Sequence, residues 1–274
     1  MGGTRTLREK LHRAYLEFFE VAENKRRWNV FNDVPWDSLD SSVPSERKAA
    51  CVEIFCAEEL YLPDYTAGGV ELTRSMFGAA WFQACWSYEE SKHGLVLGEY
   101  LTRSGLRSEA EFAAFEGRVF SRAWRLPFRT RRQMACYGAL QEAATYLAYK
   151  AQKDKAAAEG DKVLQSIFFF LSRDEAAHAG FYRVAVELEL NEDRRGTLAD
   201  LGYVIANFKM PGNDLIPNYQ QRLHETGAGI SARTFMNHAL LPTLRTLCTS
   251  RAEVKIAMAQ SSAARPEAGS TLEE

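Results

Sequence analysis

At 274 residues, with 46% apolar and 26% charged side chains, the chain has the size and balance of one large soluble domain with its own core. A formal net charge of −2 excludes a global field aimed at nucleic acid, and no run approaches the roughly 18 apolar residues of a membrane helix. Prolines number only eight, which leaves room for long uninterrupted helices.

Leu7 to about Asn24 has helical spacing in Leu11, Tyr15, Phe18, Phe19 and Ala22. After a loop holding Asn32, Asp33 and Pro35, Pro44 and Ser45 open a second helix that ends near Pro63. Gly68-Gly69 reads as the next break, followed by a long helix from about Leu72 to Thr102. Ser108 to about Phe120 is shorter, and Arg131 to about Lys155 is long again. Gly160-Asp161 turns the chain into a helix lasting to about Leu190, and helices near Arg194–Phe208 and Ser231–Cys248 complete the body. No strand pattern appears, so the expected class is all-α. A single domain is expected over 1–260, with a disordered tail at 261–274 rich in Ala, Ser, Glu and Gly. The five cysteines form no C-x-x-C pair and read as reduced core thiols. The first residues lack the apolar stretch of a signal peptide, so a cytoplasmic location is expected.

One chemical phrase is written twice. Glu58 precedes Glu90-Ser-Lys-His93, and Glu142 precedes Glu175-Ala-Ala-His178, at nearly equal distances. Glu and His three residues apart share a helix face, so a carboxylate and an imidazole can grip the same ion. Four helices would then direct four carboxylates and two imidazoles inward, the set a helical bundle uses for two metal ions. Four ionised carboxylates in so apolar a setting need compensation, and two divalent ions bring it. Phe82, Trp81 and Trp86 are expected around one half, and Ile167 to Leu171 around the other. Oxygen and imidazole ligands suit iron or manganese better than zinc. Glu9-Lys-Leu-His12 has the same spacing but no repeat partner, and reads as a solvated helix face.

The residues around these ligands resemble the soluble acyl-ACP desaturases, which have a ferritin-like di-iron bundle. Trp86-Ser-Tyr-Glu-Glu90-Ser-Lys-His93-Gly94, Gln141-Glu142-Ala-Ala-Thr145 and Asp174-Glu175-Ala-Ala-His178 are each similar to a segment of that family. Ala57-Glu58-Glu59 before Leu62-Pro63 resembles another, with one extra residue ahead of Pro63 that leaves Glu59 as the alternative to Glu58. The resemblance covers roughly residues 25 to 212, Met210-Pro211 included. It implies a four-helix di-iron bundle with additional flanking helices. Glu58 and His93 would hold one iron, Glu142 and His178 the other, and Glu90 and Glu175 would bridge them. Asp174 would bond the outer nitrogen of His93, Trp28 would lie beyond it on an electron path, and Thr145 would relay protons. The implied activity is O2-dependent introduction of a cis double bond into an acyl chain on acyl carrier protein, with two electrons from ferredoxin. The implied assembly is a homodimer.

Phe82, Trp86, Tyr137 and Phe169 are candidate walls for the acyl chain. Two basic clusters are candidate docking sites: Lys25-Arg26-Arg27 for an electron donor, and Arg122, Arg125, Arg129, Arg131 and Arg132 for the carrier. Two other readings stay open: a di-iron oxygenase performing hydroxylation or N-oxidation on a pathway intermediate, and a non-enzymatic ferritin-like iron protein.

Overall fold

The computed structural model describes residues 5–39 and 45–263. Among them are thirteen α-helices and no strand. Thr6 opens α1 (Leu7–Val21) through a capping box with Glu9, and a π-turn over Ala22–Arg26 ends it. Ser45 caps α2 (Glu46–Leu60) by accepting from Lys48 N, while Pro44 lies outside the described residues. The chain breaks at Tyr61, and α3 (Leu62–Thr73) begins at once with Pro63 in its first turn. The expected break at Gly68-Gly69 is absent, because both glycines lie inside α3. A Cβ at Gly69 would come within 2.9 Å of Gln83 Nε2, so this glycine serves close packing on the next helix.

That helix is α4 (Phe77–Arg103), followed by α5 (Glu109–Phe120). Thr130 caps α6 (Arg131–Ala158) and Asp161 caps α7 (Lys162–Glu192), each side chain accepting a backbone N–H of the first turn. Next come α8 (Arg194–Ala206), α9 (Gly212–Leu215) and α10 (Tyr219–Thr226). The helix expected near Ser231–Cys248 is in pieces: α11 (Ala232–Phe235), a π-turn over Met236–Leu240 and α12 (Leu241–Thr246). Finally, α13 (Arg251–Ala263) packs on α8. Residues 261–263 of the expected tail are therefore helical, and 264–274 lie outside the described residues.

Four helices make the bundle. α6 and α7 pack along each other's length, α2 lies on α4, and α4 meets α7. Outside them, α1 crosses α4 and α7, and α3 covers α4 and α6. Two apolar clusters form the core, one holding Phe55, Leu97, Tyr149 and Phe168, the other Phe82, Trp86, Leu140 and Phe181. Tyr149 of the first packs on His93, while Phe82 and Trp86 of the second pack on His178, so the polar centre lies between them. Trp81 and Phe169 depart from expectation. They are exposed and border neither half of the centre. Cys248 is exposed too, so only Cys51, Cys56, Cys85 and Cys136 are core thiols. Among the described residues no helix is long and apolar enough to cross a membrane.

Candidate metal centre

Helical periodicity aims the ligand-type side chains at one point. On α4, Glu90 and His93 face the same way, and on α7 so do Glu175 and His178. Glu142 joins them from α6 and Glu59 from α2. They form two overlapping groups, Glu59–Glu90–His93–Glu175 and Glu90–Glu142–Glu175–His178, whose ligand atoms lie within 4.8 Å of one another in each group. Glu90 and Glu175 belong to both.

Glu58 is not among them, which corrects the sequence expectation. Its carboxylate turns away and accepts a hydrogen bond of 2.7 Å from the Tyr219 hydroxyl on α10. Burial pushes the Glu58 carboxyl up to about 7, against the hydrogen bonds from Tyr219 and the Gly212 backbone. The carboxylate in the cluster is that of Glu59, which accepts a hydrogen bond from the Tyr149 hydroxyl.

The electrostatics of this core demand positive charge. Burial and the neighbouring Glu90 hold Glu59 well above the carboxylate range, and burial, Glu90 and Glu142 do the same to Glu175. Burial disfavours the charged form of His93, yet Glu90 and Asp174 prevail and raise it to about 10. Burial likewise opposes the charge of His178, but the surrounding carboxylates of Glu142, Glu89 and Glu90 prevail and raise it. The carboxylates can coexist only with cations, protons or metal ions, among them.

The inward atoms fit metal rather than one another. His93 Nδ1 is 2.9 Å from Glu90 Oε2 and 3.4 Å from Glu175 Oε1, and hydrogen-bonds neither. His178 Nδ1, Glu90 Oε1, Glu142 Oε2 and Glu175 Oε2 are also buried without a hydrogen-bond partner. Buried polar atoms rarely stay unpaired, and six ligand-type side chains with their lone pairs converging fit a pair of divalent ions.

Outside the ligands lies an acid–base frame. Asp174 Oδ2 faces His93 Nε2 across 3.5 Å and accepts a hydrogen bond of 2.7 Å from Trp28 Nε1. Trp28 in turn stacks on Phe170 with centroids 4.9 Å apart, under the Lys92 ammonium. Glu89, which the sequence reading missed, accepts from His178 Nε2 at 2.7 Å. The arrangement crosses over: α4 supplies the acid for the imidazole of α7, and α7 the acid for that of α4. The signal was present, since an acid precedes the Glu-x-x-His phrase in both copies. Arg26 joins the two acids, with Nη1 2.7 Å from Asp174 and Nη2 2.9 Å from Glu89.

Arg26 is only 6% exposed, so Lys25-Arg26-Arg27 is not a basic docking face. Its middle residue is an internal counter-ion, and Arg27 pairs with Glu23 and Glu89. The second cluster also divides. Arg131 pairs with Glu189, and Arg132 with Asp193 and Asp200, leaving Arg122, Arg125 and Arg129 exposed.

A cavity of ≈ 80 Å³ borders the centre, touching Glu59, Glu90, Glu142 and Glu175. Trp86 and Tyr137 line it as expected, whereas Phe82 and Phe169 do not. Thr145 lies on its wall. Its hydroxyl donates to the Gln141 carbonyl one turn earlier and accepts from the Gln141 side chain.

An all-helical bundle whose four central helices converge on paired carboxylates and histidines is a ferritin-like protein with a site suited to a di-metal centre. Within that class, a family model described as "Fatty acid desaturase" matches residues 36–237. The chain belongs to the fatty acid desaturase family.

The putative acyl-ACP desaturase DesA1 of Mycobacterium tuberculosis is 22% identical over 220 residues, covering 77% of this chain and 64% of DesA1. The chain thus spans under two thirds of the length of that curated relative. Among solved structures, the putative acyl-ACP desaturase DesA2 of M. tuberculosis H37Rv superposes with a TM-score of 0.65 at 18% identity, covering 92% of this chain and 98% of that one. An R2-like ligand-binding oxidase mutant with aerobically reconstituted Mn/Fe cofactor gives 0.54 at 16% identity, covering 91% and 93%. At these identities the structural likeness carries the fold.

Proposed function

We propose that the chain is an O2-dependent desaturase, holding two iron ions and placing a cis double bond in an acyl chain carried as a thioester on acyl carrier protein. The observation that carries this is the double cluster of Glu59, Glu90, His93, Glu142, Glu175 and His178 beside a cavity, in a chain of the desaturase family. Glu59 and His93 would hold one ion, Glu142 and His178 the other, with Glu90 and Glu175 between them. When bound and reduced, such a pair supplies the O2-derived oxidant that no protein side chain can provide for an unactivated CH2.

The residues of the chain bind and orient. Glu89 and Asp174 face the outer nitrogens of the two imidazoles, fixing the rings with Nδ1 inward. Arg26 holds both acids ionised and in place. The Thr145 hydroxyl, on the cavity wall, would relay a proton from Oγ1. Trp28, bonded to Asp174, is the outer step for two electrons from a ferredoxin-type donor. The overall balance joins the substrate's two vicinal hydrogens with O2, two electrons and two protons to give the alkene and two waters. Arg122, Arg125 and Arg129 remain as the basic surface for an acidic carrier protein. A cytoplasmic homodimer completes the reading.

The fold shared with R2-like oxidases and the polar groups lining the cavity favour a second reading, an oxygenase acting on the same site. Mass spectrometry separates them. Iron-loaded protein with O2, ferredoxin, its reductase, NADPH and a panel of acyl-carrier thioesters is expected to yield products two mass units lighter. Products sixteen units heavier would establish the oxygenase instead.

A further inference from the structure

The cavity at the centre is small, whereas a long hydrocarbon chain needs a long one. Its ≈ 80 Å³ is far below the ~300 Å³ at which sites for drug-sized ligands begin, and about half of the ~150 Å³ that takes one benzene. Room for roughly three or four carbons follows from that comparison. Gln83, Met134 and Tyr182 close one end. The same three residues also line a void of only ≈ 20 Å³, so little room lies on their far side. The stop is firmly built. Tyr182 donates to Gln83 Oε1 at 3.1 Å, and Gln83 is 2% exposed. A Cβ at Gly138 would lie 2.6 Å from the Tyr182 ring, so the glycine makes room for it.

The other side opens differently. A cleft of ≈ 350 Å³ adjoins the cavity along Glu58, Thr145 and Met210, another of ≈ 470 Å³ along Trp124, Tyr137 and Pro211, and Lys209 lines both clefts. Neither cleft touches Gln83, Met134 or Tyr182, and on the acyl-thioester reading they would hold the carrier arm. The walls of the inner cavity include Glu58 and Gln141, and the Tyr65 hydroxyl lies there buried with no hydrogen-bond partner. An unpaired buried hydroxyl is unfavourable until a ligand group pairs with it, and a methyl-ended chain cannot.

We propose that this cavity takes a short acyl group bearing a hydrogen-bonding substituent, with Tyr182, Gln83 and Met134 as its stop and Tyr65 as its polar contact. This rests on the acyl-thioester reading above and names its substrate class.

Binding decides it without turnover. Metal-loaded protein, kept free of O2 and reductant, is titrated calorimetrically with 3-hydroxybutanoyl, butanoyl and decanoyl pantetheine thioesters. The hydroxylated short thioester is expected to bind tightest, and decanoyl at least tenfold more weakly than butanoyl. Tyr182→Ala is expected to restore decanoyl binding, with Met134→Ala serving if that variant does not fold. Tyr65→Phe is expected to abolish the preference for the hydroxyl group. Decanoyl binding as tightly as butanoyl, or butanoyl as tightly as its hydroxylated analogue, would overturn the proposal. Supplying O2 and reductant separates the two levels. Dehydrogenation of the decanoyl thioester would overturn the short pocket and leave the desaturase reading standing. The expected order of binding with no dehydrogenated product would uphold the pocket and remove the desaturase reading.

Discussion

Glu58 and Glu59 are neighbours in sequence, yet about 100° of helical rotation separates their directions. One reaches the cluster and the other reaches Tyr219. Metal analysis after reconstitution tests this: Glu59→Gln is expected to lose at least one of the two ions, and Glu58→Gln to keep both. Spacing could not make the choice. The gap from Glu58 to Glu90 matches the second copy of the repeat more closely than that from Glu59, but the break at Tyr61 lies within that gap, so residue counting across it carries no rotational register. Glu90 with His93 and Glu175 with His178 were legible because i, i+3 pairs on a helix leave no such freedom, while Glu142 was read from its place in the repeat. Arg26 was illegible for a different reason. A basic run is ordinarily a solvated face, and its two partners lie 63 and 148 residues away. Replacing it should be severe, since two buried carboxylates lose their counter-ion. Arg26→Met is expected to cost about 3–5 kcal/mol, read as a lower midpoint in thermal or denaturant unfolding.

Element boundaries followed local chemistry where a cap announced them and failed where packing overrode it. The capping residues Thr130 and Asp161 were adjacent to the expected starts of α6 and α7. Gly68-Gly69 misled, because a glycine pair signals a turn unless a neighbouring helix needs the space. α9, α10 and α13 carried too weak a pattern to be read, being short or packed mainly on other peripheral helices. Gly78 shows packing control most directly: a Cβ there would lie 2.4 Å from the Leu11 carbonyl oxygen and 2.5 Å from His12 N. Gly78→Ala must therefore push α1 off α4, and about 1–3 kcal/mol of lost stability is expected in equilibrium unfolding. The start of α7 supplies a pH dependence. Asp161 accepts from Leu164 N and lies 2.9 Å from Lys48 Nζ. Burial opposes its charge, but bonds from Tyr100, Leu164 and Lys48 prevail and hold its carboxyl below the ordinary value. A depressed folded-state value stabilises above the unfolded one and is lost as pH falls. The stability gap between the wild type and Asp161→Asn should accordingly be open at neutral pH and close below about pH 4, as chemical unfolding across pH would show.

At the scale of the molecule, the centre unites four helices drawn from both halves of the sequence, so its charge balance is a property of the whole fold. Metal that binds only the folded chain stabilises it by mass action. Chelation should lower the unfolding midpoint of the wild type, and should move that of a variant already deficient in metal loading, such as Glu59→Gln, less. Differential scanning calorimetry with and without chelator reads this.

The crossed acids have a consequence for how such a protein could arise and change. Glu89 steadies an imidazole that belongs to the other half, Asp174 returns the service, and Arg26 is shared by both. The repeated phrase looks like two copies of one module, but neither copy is self-sufficient. A change in one acid would be felt by the imidazole of the opposite half, so the two halves are tied to one another. Whatever symmetry an ancestral pair possessed, this exchange of neighbours binds their descendants to a common fate.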